Sequence, residues 1–434
     1  MAHYNTQLMG ASAARPASEF WNVGALEQAG GSSDGMVAMA AAGVCAAAIG
    51  SVPVFSNSDR FSFIPQALAA LAVGLACLTL LKRIPRIHVA VMAYTGLVAF
   101  WGITLLSEPE IWPEYRTLLK VCVLALAAHV IFRSPRQILL LFAIYTATGL
   151  VTLAMNWDEI HVLGASISGA QLSEKDRFAG TFLNANSAGT YGVVLMLSGL
   201  IMFFNGRGWW RWSFLLIGLL TGLSICFFSG SRKAMLGLAF LAVIVPWMAG
   251  PSRKTRQRSI IRALAAMVVT LALVGLVLSN LPFVNRLLVP FTEGIAADSS
   301  SETRFAMLVK AFELWAANPF FGCGFDGFSR LSEFGVYSHT TFGEVLCNGG
   351  IFGFSLLAIF YLLPAVQLLR LARSANGMGS SRLTIGLFAF WGVFTLFSFF
   401  AVLFDSREYV PISAAICAYL QEQRGQQWYA TEKM

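Results

Sequence analysis

Charge is what this sequence has least of. Asp, Glu, Lys and Arg make up 12% of its 434 residues, about half the share found in an ordinary soluble domain. A chain this poor in charge cannot surround its apolar residues with the mostly polar exterior that a soluble fold needs, which excludes a cytosolic enzyme. The signatures of familiar chemistry are missing too. There is no HExxH, CxxC or Walker pattern, so metal, dithiol and nucleotide chemistry have no handle. The seven cysteines are an odd number; Cys45, Cys77, Cys122, Cys226 and Cys417 lie inside apolar runs and read as small packing residues. The net charge of +8 is scattered between those runs and forms no single patch, which argues against a nucleic-acid reader.

Hydrophobic residues are what the sequence has instead: 57% of the chain, with 35 Phe and a mean hydropathy of +0.67. Runs long enough to cross about 30 Å of hydrocarbon recur about twelve times, the last of them short and near 408–421. The pattern predicts an all-α polytopic integral membrane protein with about twelve transmembrane helices. Its membrane domain covers 36–421, between tails at 1–35 and 422–434. Residues 1–35 lack the basic start and cleavage pattern of a removable signal.

The short loops set the orientation. Those holding Lys82, Arg83 and Arg86, then Arg133 and Arg136, Arg207 and Arg211, Arg253 to Arg262, and Arg370 to Arg382 contain no acid, as expected on the cytoplasmic side. The opposite loops carry Glu108, Glu110, Glu114, Asp158, Glu159, Glu174, Asp176, Glu293, Asp298, Glu302, Glu313, Asp326 and Glu333. Both termini are therefore expected in the cytoplasm.

The loop 281–349, before the tenth span, is long enough to carry function. Ser299 and Glu302 have capping-box spacing. Phe305, Leu308, Phe312 and Trp315 then follow at helical intervals until Asn318-Pro319. This predicts a folded element whose apolar stripe packs on the membrane domain, with a lipid-facing role as the second reading. Gly322-Cys323-Gly324-Phe325-Asp326-Gly327 matches GxGxxG in letters only. It follows a helix and Asn-Pro where a dinucleotide fold needs a strand, so it reads as a glycine-rich turn.

Three outside arginines stand out: Arg177 before the sixth span, Arg232 in the tight SGSRK turn, and Arg304 at the start of the loop helix. Each could snorkel to headgroups or pair with an acid. Arg232 with Lys233 departs from the charge rule of the other short loops, and guanidinium groups on this face would suit a phosphate-bearing lipid. His339 lies at the end of the long loop. It is either a structural hydrogen-bonding residue or a general base that takes the proton of an attacking sugar hydroxyl. His3 is in the tail, His88 and His129 lie in or beside spans with no evident partner, and His161 is a weaker rival on the outside.

These residues stand in segments that resemble the O-antigen ligase and Wzy-type polysaccharide polymerase superfamily. RFAGTFLNANSAG is similar to its GTFxNxNxxA segment, and SGSRKAML to its SRxxxL turn. ETRFAMLVKAFELWAANPFFGCGFDGF resembles its loop of arginine, amphipathic helix and NPxxGxGxxxF. SHTTFGEVLCNGGIFG resembles HNxxLxxxxxxGxxG, with Thr340 where the family more often has Asn. The likeness covers about 180–355.

The resemblance implies a metal-independent, cofactor-free inverting glycosyltransferase of the bacterial inner membrane, with its site facing the periplasm. Its donor would be a glycan on undecaprenyl pyrophosphate and its acceptor a sugar. Arg177, Arg232 and Arg304 would bind the pyrophosphate and His339 would be the base, while Asn184 and Asn186 support the sixth helix. Polymerisation of exopolysaccharide or O-antigen repeats is the favoured activity, alongside polysaccharide export and chain-length proteins; ligation to lipid A core is the alternative. A secondary transporter is the competing class, but carriers place ionisable groups at the bilayer midplane, where this chain has few.

Overall fold

The computed structural model describes residues 33–55, 61–82, 85–104, 108–159, 178–179, 181–182, 184–249, 299–374 and 378–432. Most of the tail 1–35, the expected ninth span, the loop before 299, His161 and Arg177 lie outside the described residues. The elements are α1 (Ser33–Phe55), α2 (Phe63–Lys82), α3 (Val89–Thr104), a 3-10 turn (Pro109–Ile111), α4 (Trp112–Ile131), α5 (Pro135–Met155), α6 (Ala185–Asn205), α7 (Trp210–Ser229), α8 (Arg232–Ala249), α9 (Ser299–Ala317), α10 (Gly327–Leu331), α11 (Thr341–Ser374), α12 (Met378–Ser398) and α13 (Tyr409–Glu432). No strand occurs among the described residues.

The chain is a polytopic membrane protein. Among the described residues six helices, α1, α2, α5, α6, α7 and α11, are long and apolar enough to cross a bilayer. The expected ninth span lies outside the described residues, and among those described some expected spans fall short for local reasons. Helix α3 has 16 residues, α4 carries Glu114, Arg116 and Lys120, and α13 runs on into the polar segment Gln421–Arg424.

Helix α6 is the buried axis, packed against α5, α7, α8 and α12. Its closest neighbour is α7, and glycine is the reason. A Cβ on Gly192 would stand 2.7 Å from the Gly222 carbonyl oxygen, and one on Gly218 would stand 2.9 Å from the Gly199 Cα. Without a hydrophobic drive between helices in lipid, such backbone approach supplies the packing that holds them together. Around the axis, Tyr94, Trp101, Tyr145, Tyr191, Phe360 and Trp391 fill the core.

Helix α11 is broken at Gly350, whose φ is 59°. The loop after α9 repairs the break: Ile351 N–H donates to the Pro319 carbonyl at 2.9 Å and Phe352 N–H to that of Phe320 at 3.1 Å. Both strings of glycines, one in the loop and one in the helix, thus serve a single backbone junction.

Two sequence expectations change here. The stripe on α9 does not pack as one face: Phe305 and Phe312 are exposed, while Met307 and Ala311 are buried toward α11. His88 and His129 do have partners. His88 N–H donates to His129 Nε2 at 3.2 Å, His129 Nδ1 meets the Ala414 carbonyl at 3.2 Å, and His88 Nε2 meets Gln367 Oε1 at 2.8 Å. They clip α3, α4, α11 and α13 together at one end. Arg133 and Glu422 pair nearby at 2.8 Å.

Candidate functional site

At the opposite end of these helices, a cavity of about 440 Å³ opens between the start of α6, the α7–α8 turn, the loop 319–340, the start of α11 and the segment 399–408. Each wall has a local cause. Asn184 caps α6 by accepting the Ser187 N–H at 3.0 Å, satisfying a first-turn donor. Helix α7 ends because Gly230 takes a left-handed conformation, which glycine does without a Cβ clash. The chain then reverses into α8. Ser231 Oγ donates to Asn186 Oδ1 at 3.3 Å and ties that turn to α6.

The turn places Lys233 in the cavity wall, where the side chain is buried. Its neighbour Arg232 is half-buried on the same turn and is not among the lining residues. Arg304, half-buried on α9, is likewise not among the lining residues, but its charge is felt by His339 and Tyr337. Arg177 lies outside the described residues, although the next residue is fixed: Phe178 N–H donates to the Phe228 carbonyl at 3.0 Å, at the end of α7.

His339 lines the cavity in a left-handed backbone conformation with φ 60°. For a non-glycine residue that costs on the order of 1–3 kcal/mol, and it persists only where the surroundings enforce it. Pins on both sides do so. Ser338 N–H donates to Glu344 Oε2 at 2.6 Å, and Thr341 N–H donates to the Ala401 carbonyl at 3.0 Å. Glu344 itself is held by Asn348, whose Nδ2 donates to Glu344 Oε1 at 2.9 Å. Asn348 Oδ1 in turn accepts Phe328 N–H at 2.8 Å, locking the glycine-rich turn into the same network.

Burial, reinforced by the positive charges of Arg304 and Lys233, holds the His339 imidazole down to about 4. The ring is therefore neutral near pH 7. Its face meets the Tyr337 ring edge-on at 4.6 Å, and no described residue makes a hydrogen bond to it. A neutral, cavity-facing imidazole beside cations can receive a proton, and the cations can stabilise charge developing on an anion.

The cavity also holds carboxylates that sequence reasoning missed as site residues. Glu114, Asp326, Glu344 and Asp405 line it. Asp326 is itself left-handed, with φ 58°; burial raises its carboxyl, Arg330 opposes this, and Glu114 adds to it. Asp405 belongs to a loop some sixty residues beyond Thr341 in sequence: Leu403 N–H donates to Thr341 Oγ1 at 2.8 Å and Thr341 Oγ1 donates to the Ala401 carbonyl at 2.7 Å. No local pattern announces that pairing. Glu344 could have been noticed, since an acid three residues into an apolar span is costly unless it has partners. Among the described residues, no cluster of His, Cys, Asp and Glu has a metal-binding arrangement.

A comparison of the chain with curated proteins finds no match. A family model does match part of it, the stretch from within α7 to beyond the break in α11, with Lys233, Arg304, His339, Glu344 and Asn348 inside. That stretch, residues 217–358, is similar to the O-antigen ligase family.

Proposed function

We propose that the chain is a membrane glycosyltransferase that moves a glycan from undecaprenyl pyrophosphate to a sugar hydroxyl. The observation that carries this reading is the meeting of Lys233 and His339 in one cavity, under the charge of Arg304, inside the stretch that matches the O-antigen ligase family. In the reaction, the acceptor oxygen bonds to the anomeric carbon while the opposite carbon–oxygen bond to the pyrophosphate breaks. The electron pair leaves on the pyrophosphate oxygen, and the hydroxyl proton passes to His339.

Fixed cations are suited to this because the leaving group gains negative charge as the bond breaks. Arg177, Arg232 and Arg304 hold the pyrophosphate, and Lys233 joins them from the cavity wall. Asn184 and Asn186, which also line the cavity, keep the start of α6 against the α7–α8 turn and so position the cations. The leaving group and base together require neither metal nor cofactor. Bound pyrophosphate also offsets the charges that hold His339 down, so the imidazole becomes a stronger base once the donor is in place.

The favoured activity is polymerisation of lipid-linked repeats of an exopolysaccharide or O-antigen at the periplasmic face of a bacterial inner membrane. The membrane domain is 36–421, with about twelve spans. Export and chain-length proteins would work beside it. Ligation to lipid A core uses the same donor and proton transfer, with a different acceptor. A deletion strain analysed for glycan tests both: accumulated single repeats indicate polymerisation, and long chains absent from lipid A core indicate ligation. An unchanged glycan profile would overturn the reading.

A further inference from the structure

Helix α9 has three kinds of surface. Met307 and Ala311 are buried against the loop and α11, with Leu314 packed beside them. A second side carries Glu302, Lys310 and Glu313, with Lys310 Nζ 3.2 Å from Glu313 Oε2, as expected of a face in water. The third side is Phe305, Val309, Phe312 and Ala316. All four are exposed, Phe305 at 69% and Phe312 at 47%. Their spacing of four, three and four residues makes one straight stripe along a helix. A helix that meets only protein and water has no use for such a side.

The stripe does not end with the helix. Phe320 and Phe321 follow it at 70% and 65% exposure, and Phe321 joins two aromatic residues of the membrane helices. Its ring centroid lies 6.1 Å from that of Phe100 on α3 and 6.2 Å from that of Phe352 on α11, and those two are 5.0 Å apart. Phe352 lies beyond the break at Gly350, well along α11, and is itself exposed. The outward apolar surface of membrane helices is the one that meets lipid. The stripe on α9 is therefore continuous with the lipid-facing surface of α3 and α11 through Phe321.

We infer that α9 is an interfacial helix: Phe305, Val309, Phe312, Phe320 and Phe321 contact the acyl chains of the bilayer, while Glu302, Lys310 and Glu313 remain in water. An exposed apolar stripe flanked by charged residues, with the far side packed on protein, suits a helix that lies in the plane of the interface. Arg304, adjacent to Phe305 in sequence, then stands between the lipid-facing stripe and the cavity. This placement does not depend on glycan transfer.

The test is photocrosslinking of the full chain in phospholipid nanodiscs. p-Benzoylphenylalanine replaces Phe312, Phe305 or Lys310 in separate variants, and adducts are read by mass spectrometry. Lipid adducts are expected at 312 and 305, several-fold above those at 310. Adducts at 312 and 305 that join two copies of the chain, or that link only to other segments of the same chain, would overturn the inference. So would a yield at both positions no greater than at 310. Should the 312 variant fail to accumulate, the 305 variant gives the same reading, because both lie on one stripe.

Discussion

The two ends of the helix bundle each hold histidine, and they use it differently. At one end, His88 and His129 have their ring nitrogens taken up by the backbone of Ala90 and Ala414, by Gln367 and by each other's segment. Because His129 Nε2 accepts the His88 N–H, its proton sits on Nδ1 and donates to Ala414; because His88 Nδ1 accepts the Ala90 N–H, its Nε2 donates to Gln367. Both rings are thus held neutral, each in one tautomer, as structural clips. At the other end, His339 sits on a strained backbone, faces a cavity and has its basicity lowered by burial and by two cations. Burial alone does not separate a structural histidine from a chemical one; the fate of the ring nitrogens does.

The largest expected effect breaks the comparison if it fails. His339→Ala should lower glycan transfer by about 10²- to 10⁴-fold, the usual loss of general-base catalysis, while binding of the undecaprenyl-pyrophosphate donor persists. Equal loss of donor binding and transfer would make His339 a binding residue. Retained transfer would remove it from the reaction.

Next come the cations. Arg304→Ala and Lys233→Met should each weaken donor binding and transfer. In addition, the acid limb of kcat/KM, which reports the free protein, should move upward from about 4, because each variant removes a charge that disfavours imidazolium. In the unaltered protein the limb of kcat should lie above that of kcat/KM, since the bound anion offsets the same charges. Coincident limbs in all three proteins would show that His339 is not the titrating group. Arg232→Lys sharpens the point, because the charge survives and only the planar fork is lost. A strong fall in activity places Arg232 on the pyrophosphate, whereas a mild one leaves that task to Lys233 and Arg304.

The smaller effects belong to the structural end and to the caps. His129→Ala should leave the buried His88 N–H without its acceptor, at about 1–3 kcal/mol. Melting in detergent reads that loss, while transfer per folded molecule stays unchanged. Asn184→Ala removes the cap of α6 and should cost about 1 kcal/mol by the same measurement. A reporter fusion within 299–335 should read periplasmic and one after Arg382 cytoplasmic; the reverse would put the cavity on the side away from its donor.

The cap at Asn184, the reversal at Gly230, the end of α9 at Asn318-Pro319 and the apolar length of the six long helices were all legible from sequence, because each depends on neighbours within a few residues. The cation-bearing turn and His339 were legible as unusual residues in unusual places. Their meeting was not. It depends on Glu344 and Asn348 holding the loop to α11, and on Thr341 reaching Ala401 and Leu403 sixty residues away. The pairing of His88 with His129 and the outward turn of Phe305 and Phe312 have the same origin. Hydropathy and capping are properties of a chain segment, so the sequence alone marks helix ends such as Asn184, Gly230 and Asn318-Pro319 and the apolar length of the six long helices. Which face of a helix meets protein, which histidine is left with a cavity and which acids share it are properties of packing, and only the assembled helices decide them.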